Sequence, residues 1–198
     1  MMLTDILLVV AAYLLGSAST AIISCHLLGL QDPRSVGSGN PGTTNVLRTG
    51  GKQAAAITCL GDMLKGLAPV IIARILCLEE AVVSVIALAA FCGHVYPLYY
   101  HFRGGKGVAT ALGVLLGMHA LVGVCALLTW LAVAFVFRFA SLASLVTGLL
   151  TPGYMLWITG SAWLTGTSLL MTLLIFWRHR ANIRSLLQGS ENTIGGKI

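Results

Sequence analysis

"GVATALGVLLGMHALVGVCALLTWLAVAFVFR", residues 107–138, decides how many times this chain crosses a membrane. Read as one helix it would be roughly 48 Å long at 1.5 Å per residue, far beyond a hydrocarbon core of about 30 Å. Within it "GMHALVG", residues 117–123, offers glycines and a histidine suited to a turn. Either the stretch divides into two short spans or it runs on as one, and the cations choose between them. The other apolar candidates are residues 5–28, 54–77 and 81–100, with two more inside 141–177. If the chain makes seven spans and begins outside, the inner segments hold Arg34, Arg48, Lys52, Arg103, Lys106, Arg138, Arg178, Arg180, Arg184 and Lys197. The outer connections, around Glu79–Glu80, His119 and Gly160, then hold no lysine or arginine. Six spans would move Arg138 to the other side and put the tail opposite the first loop. The positive-inside rule therefore predicts seven spans, amino terminus out and carboxyl terminus in. Lys65 and Arg74 fall inside the second span and carry no weight in the count.

Composition agrees with this reading. Of the 198 residues, 57% are hydrophobic and only 9% charged, against about 25% charged in a soluble domain. The expected fold class is all-α: a polytopic membrane protein with about seven transmembrane helices, some short, residues 1–198 forming a single integral membrane domain. The formal charge of +6 must be concentrated in a few places, which points to anionic lipid or an anionic substrate and away from nucleic acid. Cys25, Cys59, Cys77, Cys92 and Cys125 lie in or beside apolar segments without a CxxC pair, and read as small buried hydrophobes. The opening "MMLTDILLVV" has no basic leader region, so its apolar run is expected to be retained as a span.

Four polar stretches interrupt the spans. In "GSGNPGTTNVLR", Gly37–Arg48, glycines allow close backbone approach and successive amides can form an anion nest. Ser38, Thr43 and Thr44 add hydroxyls, Asn40 and Asn45 add amides, and Arg48 can grip a phosphate through two parallel hydrogen bonds. A plain solvated linker would explain the glycine and serine but not the asparagines and arginine. A nucleotide-binding P-loop is excluded, because Thr43 stands in the lysine slot and no strand precedes it. In "GHVYPLYYHFRGGKGVAT", Gly93–Thr110, Lys106 sits among glycines at the start of an apolar run, where helix amides and a cation can converge. An aromatic belt at the interface explains the tyrosines there, though not the glycines around the lysine. His94 and His101 are left outside the candidate site. In "RFASLAS", Arg138–Ser144, small residues serve close packing, a helix cap or an anion donor at Ser141 equally well. In "WRHRANIRSLLQGSEN", Trp177–Asn192, a basic amphipathic segment anchors on lipid, while His179 and Asn182, three apart, share a helical face. Asp62 and Lys65, also three apart, suit a structural ion pair, with a proton path as the alternative.

Taken together these stretches resemble the bacterial acyl-phosphate-dependent glycerol-3-phosphate acyltransferases of the PlsY type, from the first loop to "RHRANI" near the end. The resemblance implies a seven-helix membrane fold in the bacterial cytoplasmic (inner) membrane with the site toward the cytoplasm. It also implies transfer of a fatty acyl group from acyl phosphate to the 1-hydroxyl of glycerol 3-phosphate, giving lysophosphatidic acid. Carried over motif by motif, substrate-binding positions fall on Ser38, Gly39, Asn40, Thr44, Asn45, Arg48, Lys106, Ser141, His179 and Asn182. Ser38, Arg48, Lys106 and His179 are the expected catalytic group. Acyl phosphate, glycerol 3-phosphate and membrane lipid are the expected partners; no cofactor, metal, nucleic acid or obligate protein partner is implied. Thr43 and Arg103 stand where alanine and lysine are common, and Ala181 replaces a frequent acidic residue, which argues against a carboxylate role at that position.

Because acyl phosphate is already activated, orientation and charge neutralisation suffice for transfer, and no acyl-enzyme is required. Either the acceptor's own phosphate or His179 takes the hydroxyl proton. A carrier for a phosphorylated solute would place its site near mid-membrane between repeats, and no convincing repeat is present. A metal-dependent phosphatidyltransferase would need grouped carboxylates, whereas the six acidic residues are scattered.

Overall fold

The computed structural model describes residues 2–194, and within them every regular element is helical. Helices α1, Leu3–Ser17, and α2, Thr20–Leu27, form one apolar run bent by 45°. Ser19 caps the second half by accepting a hydrogen bond from the Ile22 amide, as hydroxyl residues at helix starts do. Helix α3, Thr43–Ile75, is kinked where Gly51 leaves helical geometry at φ 84°. Its first two turns therefore form a separate short arm. The expected start of the second span near residue 54 corresponds to the apolar part beyond this kink.

Helix α4, Glu80–Val95, ends in a short 3-10 turn at Leu98–Tyr100. The stretch 107–138 divides as expected: α5, Val108–Met118, and α6, Ala120–Phe137, meet at an extended His119. Then come α7, Ala140–Thr159, α8, Ala162–Arg178, and the small α9, Arg180–Leu187. Four helices are long and apolar enough to cross a membrane, and a fifth span arises if the bent pair is counted as one. Helices α5 and α8 are the short apolar ones, with 11 and 17 residues. The seven expected apolar segments are thus all helical, while Lys197 lies outside the described residues.

Between lipid-facing helices there is little hydrophobic gain, so small residues and van der Waals contact hold them together. Helix α3 packs on α5 through Gly66, against the Thr110 carbonyl, and Gly113, against the Met63 carbonyl. Helix α1 packs on α4 in the same way, through Gly16 against Ala90 and Gly93 against Tyr13. Phe91, Met118, Val122 and Met155 are fully buried among these helices, whereas Phe135 and Trp157 point outward. An inverted surface of that kind is what a bilayer solvates.

Asp62 and Lys65 pair at 2.9 Å inside this bundle. Lys65 also donates to the Ala18 carbonyl at 2.7 Å, and Asp62 accepts from Thr20 Oγ1 at 3.0 Å. The pair thus ties α3 to the break between α1 and α2, as a structural ion pair.

A methyl group at Gly113 would meet backbone that cannot yield, and overpacking of this sort costs about 1–3 kcal/mol. Gly113→Ala is expected to lower the thermal unfolding midpoint in detergent micelles. Gly153→Ala, where a Cβ has open space, is expected to leave it unchanged.

Candidate active site

Four chain segments converge at one end of the bundle: the first loop with the start of α3, the loop before α5, the start of α7, and the α8–α9 corner. The first loop is shaped from within. Asn45, only 1% exposed, donates through Nδ2 to the carbonyls of Pro33 and Val36 at 2.8 and 3.1 Å. Its Oδ1 accepts from the Ser38 amide at 2.8 Å. Gly37, at φ +59°, brings the loop so near Asn45 that a Cβ there would meet Oδ1. Asn45 was expected to bind substrate directly; in the structure its amide group is taken up by holding the loop.

Arg34, paired with Asp32 at 2.6 Å, lies over the Tyr100 ring at 5.5 Å from its centroid, linking the first loop to the second. In the second loop Arg178 donates to the carbonyls of Gly104 and Gly105 at 2.6 and 3.2 Å. Gly107, at φ 83°, starts α5 and leaves Lys106 directed inward. Lys106 Nζ donates to Asn182 Oδ1 at 2.5 Å.

These segments enclose a cavity of about 390 Å³. Ser38, Asn40, Thr44, Asn45 and Arg48 line it from the first loop and α3. Lys106, Ser141, His179 and Asn182 line it from the other side. Gly39 alone of the predicted residues does not; it borders an adjoining cavity of about 550 Å³, together with Arg34, Arg103 and Arg178. Ser38, Asn40 and Lys106 belong to both. Among the described residues Thr43 Oγ1 and Arg48 Nε are buried donors without a hydrogen-bond partner, and both residues line the first cavity. Buried polar groups are ordinarily paired, so this wall is built for an acceptor-rich ligand.

Two residues of the site escaped the sequence reading. His94, buried, lines the cavity and faces Asp62 with Nδ1 to Oδ1 at 3.6 Å. Glu191 accepts from Ser141 Oγ at 2.6 Å and from Asn182 Nδ2 at 2.7 Å. It is the lone carboxylate of the basic tail, and that isolation was the available signal. The same tail segment offers the Asn192 and Thr193 carbonyls to Arg48 at 3.1 and 3.2 Å.

Burial and neighbouring cations govern the charges. Burial pulls the Lys106 ammonium below its usual range; Glu191 opposes that, while Arg178 and Arg48 add to it. His179, just past the end of α8, is pushed down to about 4 by burial first and then by the charge of Lys106. Its Nδ1 lies 2.8 Å from the Ile175 carbonyl, which assigns the proton to Nδ1 and leaves Nε2 as an acceptor.

Away from the polar end the cavity continues between α5, α6, α7 and α8. Its walls there include Leu112, Leu115, Leu127, Trp130, Met171 and Ile175. A cationic, amide-rich vestibule opening into an apolar cleft has the two kinds of surface that an amphiphile with an anionic head requires.

The comparisons make the class specific. Residues 6–189 match the family described as glycerol-3-phosphate acyltransferase. A glycerol-3-phosphate acyltransferase of Thioalkalivibrio sulfidiphilus is 60% identical, over 96% of this chain and 94% of the relative. That of Methylococcus capsulatus is 53% identical, over 96% of both. The crystal structure of PlsY (YgiH), an integral membrane glycerol 3-phosphate acyltransferase, in its glycerol 3-phosphate form superposes with a TM-score of 0.92 at 36% identity, covering 96% of this chain and 95% of that one. Its lysophosphatidic acid form gives 0.90 at 35% identity, with the same coverage. The chain belongs to the glycerol-3-phosphate acyltransferase family and is an integral membrane acyltransferase.

The depressed pKa of His179 has a thermodynamic counterpart. Between about 6.5, its ordinary value, and about 4, the unfolded chain binds a proton that the folded one refuses. Stability from this group is therefore complete above pH 6.5 and is lost as pH falls toward 4. The unfolding midpoint in micelles is expected to drop between pH 7.5 and pH 5, with a smaller drop in His179→Gln.

Proposed function

We propose that this chain transfers a fatty acyl group from acyl phosphate to the 1-hydroxyl of glycerol 3-phosphate, releasing lysophosphatidic acid and inorganic phosphate. The reaction opens phospholipid synthesis, in a bacterial cytoplasmic membrane with the site toward the cytoplasm, and residues 1–198 act as one membrane domain. The observation that carries the reading is a single cavity in which phosphate-suited groups from loops far apart in sequence meet at the mouth of an apolar cleft. The relatives' names and the glycerol 3-phosphate and lysophosphatidic acid forms of PlsY support the acceptor and the product. The gathering of both glycine-rich loops and the tail on one side supports the predicted orientation, amino terminus out and carboxyl terminus in.

In this reading Arg48 and Lys106 neutralise phosphate charge, and Ser38, Asn40 and Thr44 position it with the adjacent loop amides around Gly39. Ser141, His179 and Asn182 complete the wall. The 1-hydroxyl oxygen attacks the acyl carbon, the bond from that carbon to the phosphate oxygen breaks, and phosphate departs with the electron pair. No protein nucleophile intervenes, because holding the two reactants in line is worth about 7–11 kcal/mol of barrier. The hydroxyl proton passes to the acceptor's own phosphate. With a pKa of about 4, His179 is a weaker base than a phosphate monoester, whose second pKa is about 6. Its Nε2 serves to orient the hydroxyl.

Purified protein supplied with labelled acyl phosphate and glycerol 3-phosphate is expected to form labelled lysophosphatidic acid. Arg48→Ala and Lys106→Ala should each slow turnover at least about tenfold, roughly 1.4 kcal/mol of barrier, while remaining folded in the membrane. His179→Gln should stay within about tenfold of wild type. Wild-type rates from the Arg48 and Lys106 variants would sink the site assignment.

A further inference from the structure

The cleft that runs from the vestibule has a defined depth. On α7 the wall descends from Ser141 at the polar end through Ser144 and Gly148 to Thr151. Ten residues of helix measure roughly 15 Å. At the level of Thr151 the cleft also touches Leu115 and Ala126. Met155, one turn further along α7, is fully buried and takes no part in the lining, so the α7 wall of the cleft ends at Thr151.

Gly148 stands about 10 Å down this wall, seven residues beyond Ser141. A Cβ placed on it meets nothing nearer than the methyls of Ile175 and Thr172, each at 3.9 Å. That is ordinary contact, unlike the tight approaches at Gly66 and Gly113 that join helices. Helix packing therefore does not require a glycine here. Its backbone carbonyl accepts from Thr172 Oγ1 at 2.7 Å, a bond that any residue at 148 can keep. What the absent side chain leaves is free cross-section in the cleft.

We infer that Gly148 is a chain-length determinant: it keeps the cleft open past its midpoint so that a long acyl chain can pass it toward Thr151. The inference rests on the acyl-transfer reading. An extended chain advances roughly 1.2 Å per bond, a third of a peptide residue's reach. The full cleft then encloses about a dozen bonds, and the part above position 148 about eight. A side chain at 148 excludes the terminal methylenes of a long donor and leaves a short one unaffected.

The test compares kcat/KM for dodecanoyl phosphate and octanoyl phosphate at saturating glycerol 3-phosphate. Gly148→Leu is expected to lower the dodecanoyl-to-octanoyl ratio at least about tenfold, since loss of even one or two methylene contacts in an apolar pocket is worth that much. Gly148→Ala, whose methyl fits without rearrangement, should lower it by less. Met155→Ala, which removes bulk one turn beyond the last lining residue of α7, should not lower it. An unchanged ratio in both Gly148 variants, with octanoyl turnover intact, overturns the inference and leaves the acyl-transfer reading standing. If Gly148→Leu does not insert, an unchanged ratio in Gly148→Ala overturns it alone. Failure of the wild-type chain to form product from either donor overturns the acyl-transfer reading, and the inference with it.

Discussion

In hydrocarbon no water waits to accept a hydrogen bond, so every carbonyl freed by a break in a helix must find a donor inside the protein. This constraint organises the whole chain. The break between α1 and α2 is met by Lys65, which reaches the Ala18 carbonyl. The break between α5 and α6 is met by Arg74, which donates to the Met118 carbonyl. The loop before α5 is met twice: Tyr13 donates to the Tyr96 carbonyl at 2.8 Å, and Arg178 donates to Gly104 and Gly105. Each break thus becomes a bond between elements distant in sequence, and helix ends that would otherwise splay are fixed relative to one another.

The active site inherits its rigidity from these bonds. Lys106 occupies a loop whose carbonyls are already clamped by Arg178, so its ammonium is aimed before any ligand arrives. Asn45 does the same for Ser38 by holding the first loop against α3. Preorganised donors stabilise developing charge without reorganising during reaction. Placing them where the helices end sets a polar vestibule at the mouth of an apolar cleft between α5, α6, α7 and α8, two media within one cavity, as the proposed amphiphilic substrate requires.

The division of residues 107–138 into two helices was legible because one helix would overrun the bilayer, the cations favoured two, and His119 with its glycines marks the turn. The first-loop residues that line the cavity were legible as a group because asparagines and an arginine in a glycine-rich stretch have no purpose in a linker. What sequence could not supply was the bonding partner. Asn45 reads equally as a ligand donor or a loop clamp, and only its bonds to Pro33, Val36 and Ser38 distinguish these. His94 looked like an ordinary interfacial histidine until α4 placed it opposite Asp62. Glu191 sits 50 residues from Ser141 in the chain, a separation over which pattern carries no information. Span boundaries shifted for a related reason: the arm of α3 before Gly51 is polar enough to read as loop, yet it folds as helix because Gly42 starts it and Asn45 packs against the preceding loop.

The concentration of positive charge at the vestibule has its own cost. Lys106 is disfavoured by burial and by Arg48 and Arg178, and Glu191 offsets part of that. Glu191 reaches the wall through Ser141 and Asn182, residues that also face the cavity. A dianionic phosphate entering the same space supplies more compensation than one carboxylate can, because it brings greater charge and more acceptor oxygens to the same donors. In the proposed acyl transfer, binding would be driven by relief of the repulsion among these cations, and the same relief argues against storing a covalent intermediate on the protein, since the cations would serve first the donor's phosphate and then the phosphate that leaves.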